Sequence, residues 1–146
     1  MPRIELRDPT HVDRDAAYPL LRDGSSTWRR ARFADRAEFD AWLDEQKDRD
    51  DVTLHAVVVG GEARGLAAAL EVDGEREIVF ALTAGVDGES TAEALRLITS
   101  REPVRPLYAC VAAADDPSHE VLAGIGFVEW KRGDDEIVYV LPPTLE

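Results

Sequence analysis

The stretch "GVDGESTAEALRLI", Gly85 to Ile98, pairs residue types and spacing suited to holding an anion. A glycine-bearing loop runs directly into an amphipathic helix, just after the apolar run "EIVFALT". The first turn of a helix leaves main-chain N–H groups without partners inside the helix, and the aligned peptide dipoles add about half a positive charge there. Glycine lets a ligand approach the backbone closely, so such a loop can cradle a phosphate with main chain alone. Yet this loop carries Asp87 and Glu89 and no Lys or Arg. An acid at a helix start stabilises the helix by roughly 0.3–1 kcal/mol and repels an exposed phosphate by a similar amount. Two such acids weaken anion binding by about tenfold without abolishing it. An ordinary capped helix after a tight loop accounts for the same residues.

The other reactive side chains form no recognisable constellation. His11, His55 and His119 lack the spacing of metal ligands or of a nucleophile relay, so no metal site is expected. Cys110 is the only cysteine, which excludes an internal disulfide. Its apolar surroundings, "PLYACVAAA", suggest a buried, inert thiol. Trp28, Arg29, Arg30 and Arg32 make a cationic, aromatic spot in an acidic chain.

That acidity bounds the partners. Thirty acidic residues against 17 basic give 146 residues a net charge of −13. Nucleic acid and anionic membranes are recognised by Lys and Arg, so neither is expected as a partner, whereas cationic partners are favoured at long range. Solubility accounts for the charge equally well. There is no apolar run of membrane-spanning length and no leader-like N-terminus, so a soluble, cytoplasmic protein is expected.

The elements that must position the loop read as follows. "IELRDP" suggests a strand, and Thr10 with Asp13 a helix start before a segment that Pro19 should kink or split. Asp35 and Glu38 cap an amphipathic helix over 36–48, with Phe39, Trp42 and Leu43 on one face. "VTLHAVVV", "ARGLAAALEV" and "EIVFALT" are strands separated by the turn signals Gly60-Gly61 and Asp73-Gly74, which predicts an antiparallel meander. Ser90 and Glu93 suggest a capping box for the next helix, and Pro103 and Pro106 end it before the strand "LYACVAAA". Strand, helix and strand of this size imply a right-handed parallel crossover. "DDPSHEVLAGIG" is a short helix, and "FVEWKR", "GDD" and "EIVYVL" a closing hairpin. The expected fold is α/β: one domain over 1–146, with a mixed sheet of six or seven strands and helices on both faces.

The element order, the loop-helix "GVDGESTAEALRLI", the segment "DDPSHEVLAGIGF", the N-terminal "IELRDPTHVDRDAAYPLL" and the helix "AEFDAWL" together resemble the GNAT N-acetyltransferases, in their Rim-type branch. The family loop reads Arg/Gln-x-x-Gly-x-Gly/Ala. Gly85 stands in the Arg/Gln place, Gly88 in the glycine place and Ser90 in the last, and aligning on "AEAL" shifts this by one residue. Asp115 takes the Asn place of the second motif, Ser118 its Ser, and Gly126-Phe127 its ending, while Gly124 stands where Lys is frequent.

The resemblance implies acetyl-CoA as acyl donor and transfer to a primary amine of a small molecule or a protein N-terminus. The strand ending near Thr83 and the strand over Tyr108 to Ala112 should splay apart. The pantetheine arm should pair with Leu82, Thr83 and Ala84, and the diphosphate should rest on amides of Gly85 to Thr91, with Val86, Gly88 and Ser90 among them. Asp115 and Ser118 also fall on the cofactor side. Glu77 shares a strand face with Val79, Ala81 and Thr83, and stands either as general base or as a solvated strand-end acid. Ser118 either serves the leaving thiolate or caps its helix. The Tyr that many members use as acid falls at Leu122. Trp28, Arg29 and Arg30 border the acceptor site, or form a solvated loop anchored by its Trp. The fold often forms homodimers. The absent loop Arg/Gln, the two adjacent acids and the absent Lys leave a second reading, a catalytically degenerate binding or regulatory module.

Overall fold

The computed structural model describes residues 3–22, 35–72, 74–83, 85–113 and 116–142. Along the chain run β1 (Ile4–Arg7), α1 (His11–Arg22), α2 (Arg36–Lys47), β2 (Thr53–Val59), β3 (Glu62–Val72), β4 (Glu75–Leu82), α3 (Gly88–Arg101), β5 (Leu107–Ala112), α4 (Asp116–Gly124), β6 (Val128–Arg132) and β7 (Glu136–Leu141). The seven strands make one mixed sheet in the order β1-β2-β3-β4-β5-β7-β6. All neighbours are antiparallel except β4 and β5, which the α3 crossover makes parallel.

Alternation along the strands sorts the core into two layers. Ala17 of α1 and Phe39 and Leu43 of α2 pack on Leu54, Ala56, Leu66, Ala68, Val79 and Ala81. On the other face, Ala94, Leu95 and Ile98 of α3 and Val121 and Leu122 of α4 cover Val57, Ala67, Ile78, Phe80 and the inward residues of β5. Leu95 and Ile98 are fully buried, and each contributes about 1.5–3 kcal/mol. The two layers explain why β4 is apolar on both sides while β5 alternates.

Local signals set most boundaries. Gly60 and Gly61 both take positive φ, 59° and 84°, the geometry of a tight two-residue hairpin. Thr10 and Asp13 form a reciprocal box: the Thr10 amide donates to Asp13 at 2.8 Å, and the Asp13 amide to Thr10 Oγ1 at 3.3 Å. Asp35 accepts the Glu38 amide at 2.9 Å.

Three expectations are corrected. Pro19 does not split its helix, because α1 is continuous from His11 to Arg22. Ser90 is not the cap of α3. Asp87, extended at φ −71° and ψ 166°, takes the Ser90 amide at 2.6 Å and starts the helix earlier, at Gly88. Cys110 is half-buried rather than buried. Leu107, Ala109 and Val111 face the α3–α4 layer, so alternation turns Cys110 to the opposite side of β5.

Candidate functional site

The site begins with a missing ladder. β3 and β4 are paired from Val72↔Glu75 to Gly65↔Leu82, and β5 and β7 from Leu107↔Leu141 to Ala112↔Glu136. Between β4 and β5 the register holds one pair, Glu77↔Tyr108, near the start of both strands. Among the described residues no further β4–β5 pair forms beyond it, so the ladder is interrupted toward the C-terminal ends of both strands, and this break is the cleft. The Thr83 amide donates to Arg64 O on β3 at 2.8 Å. Alternation therefore turns the N–H and C=O of Leu82 to the cleft side, where an extended ligand can pair with them.

The loop after β4 is drawn tight. The Val86 amide reaches back to Thr83 O at 3.3 Å, and Gly85 supplies a φ of +98° that other residues adopt only under strain. Asp87 then caps α3. Its carboxylate is held below the usual aspartate range by the Ser90 amide first, then by the Ser90 hydroxyl and the Glu89 amide. The Thr91 amide and hydroxyl both go to Asp87 O, at 3.0 and 2.9 Å. The amides of Val86, Ser90 and Thr91 are thus engaged inside the loop, which corrects the expectation that the whole of 85–91 lies open to a ligand. Gly88, the first helical residue, forms no such bond among the described residues.

Two buried hydroxyls flank this loop without hydrogen-bond partners among the described residues, Thr83 Oγ1 and Ser90 Oγ. The Ser90 hydroxyl lies near enough to the Asp87 carboxylate to favour its charge, but not in hydrogen-bonding geometry. Buried hydroxyls are nearly always satisfied, so a pair of orphans at one loop fits a ligand that supplies the missing partners. A cavity of about 320 Å³ lies beside Ser90, bounded by the β2–β3 hairpin at Gly60, Glu62 and Arg64 and by Gly85 and Asp87 of the loop.

The remaining candidates divide across the cleft. Glu77 is half-buried on β4, opposite Leu70 and beside Tyr108, on the α1–α2 face of the sheet. The Tyr108 ring packs at a 51° tilt on Trp130 of β6, centroids 5.2 Å apart, so an aromatic pair adjoins the carboxylate's strand position. Ser118 is buried in the first turn of α4. Ala84, Asp115, Trp28, Arg29 and Arg30 lie outside the described residues.

Two features are not visible in the sequence. Arg64, the sole basic residue of β3, is one; only the β3–β4 register carries it to the acidic loop. The other is the bonding of His119, which is half-buried on α4. Its Nε2 faces Ala112 O at 3.0 Å and Ala113 O at 3.2 Å, so it carries the proton, and in the neutral ring Nδ1 accepts the Tyr139 O–H at 2.8 Å. This ties the first half of α4 to the end of β5 and the middle of β7. Burial, and then Glu129, raise the Tyr139 hydroxyl above its ordinary pKa.

No protein-family model matches the chain, and no curated protein sequence does. Solved structures do. The chain is similar to the N-acetyltransferase PseH of Campylobacter jejuni in complex with acetyl coenzyme A, at 14% identity and a TM-score of 0.69, covering 97% of this chain and 100% of that one. It is similar to the spermidine N-acetyltransferase of Vibrio cholerae in complex with CoA and spermine, at 15% identity and a TM-score of 0.71, over 94% and 92%. It is similar to the ribosomal-protein-S5-alanine acetyltransferase of Vibrio fischeri, at 13% identity and a TM-score of 0.68, over 97% and 92%. At these identities the likeness is one of fold, and the fold is that of the GNAT acetyltransferases, as the sequence led us to expect.

Proposed function

We propose that this chain is an acetyl-CoA-dependent N-acetyltransferase of the Rim-type branch, comprising a single domain, that acts on a primary amine of a small molecule or protein N-terminus. The observation that carries the reading is the break in the ladder between β4 and β5, where one aligned pair, Glu77↔Tyr108, is followed by no other among the described residues. The similar structures bound to coenzyme support the choice of acyl donor.

In this reading the pantetheine arm pairs with the N–H and C=O of Leu82, while Thr83, whose amide goes to Arg64 O and whose carbonyl takes the Val86 amide, contributes only its hydroxyl, which with that of Ser90 gains a partner from the coenzyme. The acetyl thioester supplies an activated carbonyl carbon. Glu77 takes a proton from the acceptor ammonium, directly or through water; the amine nitrogen then bonds to that carbon as the carbon–sulfur bond breaks, and the nitrogen's second proton passes to the departing sulfur, leaving amide and free thiol. Ser118, in the first turn of α4, donates a hydrogen bond to the departing thiolate. Most of the rate comes from positioning, with proton transfer adding on the order of 10²–10⁴.

The second reading, a catalytically degenerate binding or regulatory module, is favoured by the Asp87 carboxylate already seated on the Ser90 amide. Titration calorimetry with acetyl-CoA, followed by thiol release against a panel of aliphatic amines and peptides, separates the two. Binding with turnover on any amine is the expected result. Absence of heat and of thermal stabilisation at millimolar acetyl-CoA removes the enzyme.

A further inference from the structure

The acidic loop has a cation of its own, supplied by another strand. Arg64 lines the 320 Å³ cavity together with Gly85, Asp87 and Ser90. Its guanidinium is 39% exposed and meets Glu62 at 2.6 Å, while Glu62 is itself 67% exposed. A pair this open to water holds its partner weakly, so Arg64 can turn to another anion at little cost. Across the cavity, Asp87 Oδ1 sits 2.6 Å from the Ser90 amide, where it takes a first-turn N–H of α3. Ser90 is 1% exposed and its Oγ has no hydrogen-bond partner among the described residues. One cation, one orphaned hydroxyl and one amide held by an internal carboxylate therefore converge on one cavity.

We propose that Arg64 receives the phosphates of an acyl-CoA at the mouth of α3, and that Asp87 competes with those phosphates for the same helix start. The proposal rests on the coenzyme reading above. It assigns the missing loop cation to β3, where planar, bidentate donors suit phosphate oxygens. It also makes Asp87 a resident substitute for a phosphate oxygen, so that coenzyme enters by displacing or opposing a carboxylate.

Titration calorimetry tests this with acetyl-CoA and with S-acetylpantetheine, which has the thioester arm and no phosphate. Arg64→Ala is expected to weaken acetyl-CoA about tenfold, and Arg64→Lys less. Asp87→Asn keeps a capping side chain without the charge, and is expected to tighten acetyl-CoA about two- to fivefold. Affinity for S-acetylpantetheine should not change in any variant. Wild-type binding with either Arg64→Ala or Asp87→Asn failing to move in the stated direction overturns the proposal and leaves the enzyme reading standing. So does an equal change for S-acetylpantetheine, since the effect is then structural. A wild-type protein that binds no acetyl-CoA removes both.

Discussion

Asp13 and Asp87 have the same local job, capping a helix, yet one is sealed and the other open. The Asp13 side chain has no exposure and receives Arg7 Nε at 3.1 Å, Arg7 Nη2 at 2.8 Å, and the Thr10 amide and hydroxyl at 2.8 and 3.0 Å. Burial alone would raise its pKa; the Arg7 bonds and the Thr10 donors outweigh this and bring it below 3.8. A carboxylate with a depressed folded pKa adds stability above its unfolded value, and loses that stability as pH falls through the folded value. Asp13→Asn should therefore cost about 2–3 kcal/mol at pH 7, moderated because Arg7 is 41% exposed. Urea denaturation checks this: the gap between wild type and variant should shrink once pH drops below about 4. The Thr10–Asp13 box was legible from spacing, but the Arg7 clamp was not, because it depends on how β1 meets α1.

At the scale of elements, Gly65 in β3 shows how little room the sheet leaves beside the cleft. Its φ is +148°, and a Cβ there would lie 1.8 Å from Ala81 O on β4. The position adjoins the register shift between Val57 and Val58 of β2 and pairs with Leu82, the last residue of β4. Gly65→Ala must move the β4 backbone at the point where the cleft opens. We expect a loss of about 3 kcal/mol or more, measured by urea unfolding. An unchanged midpoint would mean that β3 can move away without disturbing its neighbour. The hairpin at Gly60-Gly61 and the whole element order could be read from the chain, since turn chemistry and alternation are local. The start of α3 was misread because two acceptors, Asp87 and Ser90, compete for the same role, and Asp87 reaches the free amide first.

For the whole molecule, the net charge of −13 sets the long-range field. An anionic coenzyme must approach against it, whereas a cationic amine is drawn in. Raising ionic strength from about 0.01 to 0.15 M shortens the screening length from about 30 to 8 Å. Stopped-flow association of acetyl-CoA should accelerate by several-fold to roughly tenfold over that range, while a cationic amine acceptor slows. A coenzyme rate that falls with salt would mean that the local Arg64 field outweighs the global one. Among the described residues, no helix is long and apolar enough to cross a membrane.

The sequence by itself determined the order of strands and helices, most of their caps and turns, and the two-faced sheet. Each of these follows from residues a few positions apart, whose spacing decides which backbone groups and which faces are satisfied. Only the tertiary structure decided that the β4–β5 ladder is interrupted after Glu77↔Tyr108, that Arg64 stands beside an acidic loop, and that His119 and Tyr139, twenty residues apart, share a hydrogen bond. Those outcomes depend on strand register and on layers closing over one another. Register couples distant residues through shared burial and ladder hydrogen bonds, and nothing in a local window of the chain encodes that coupling.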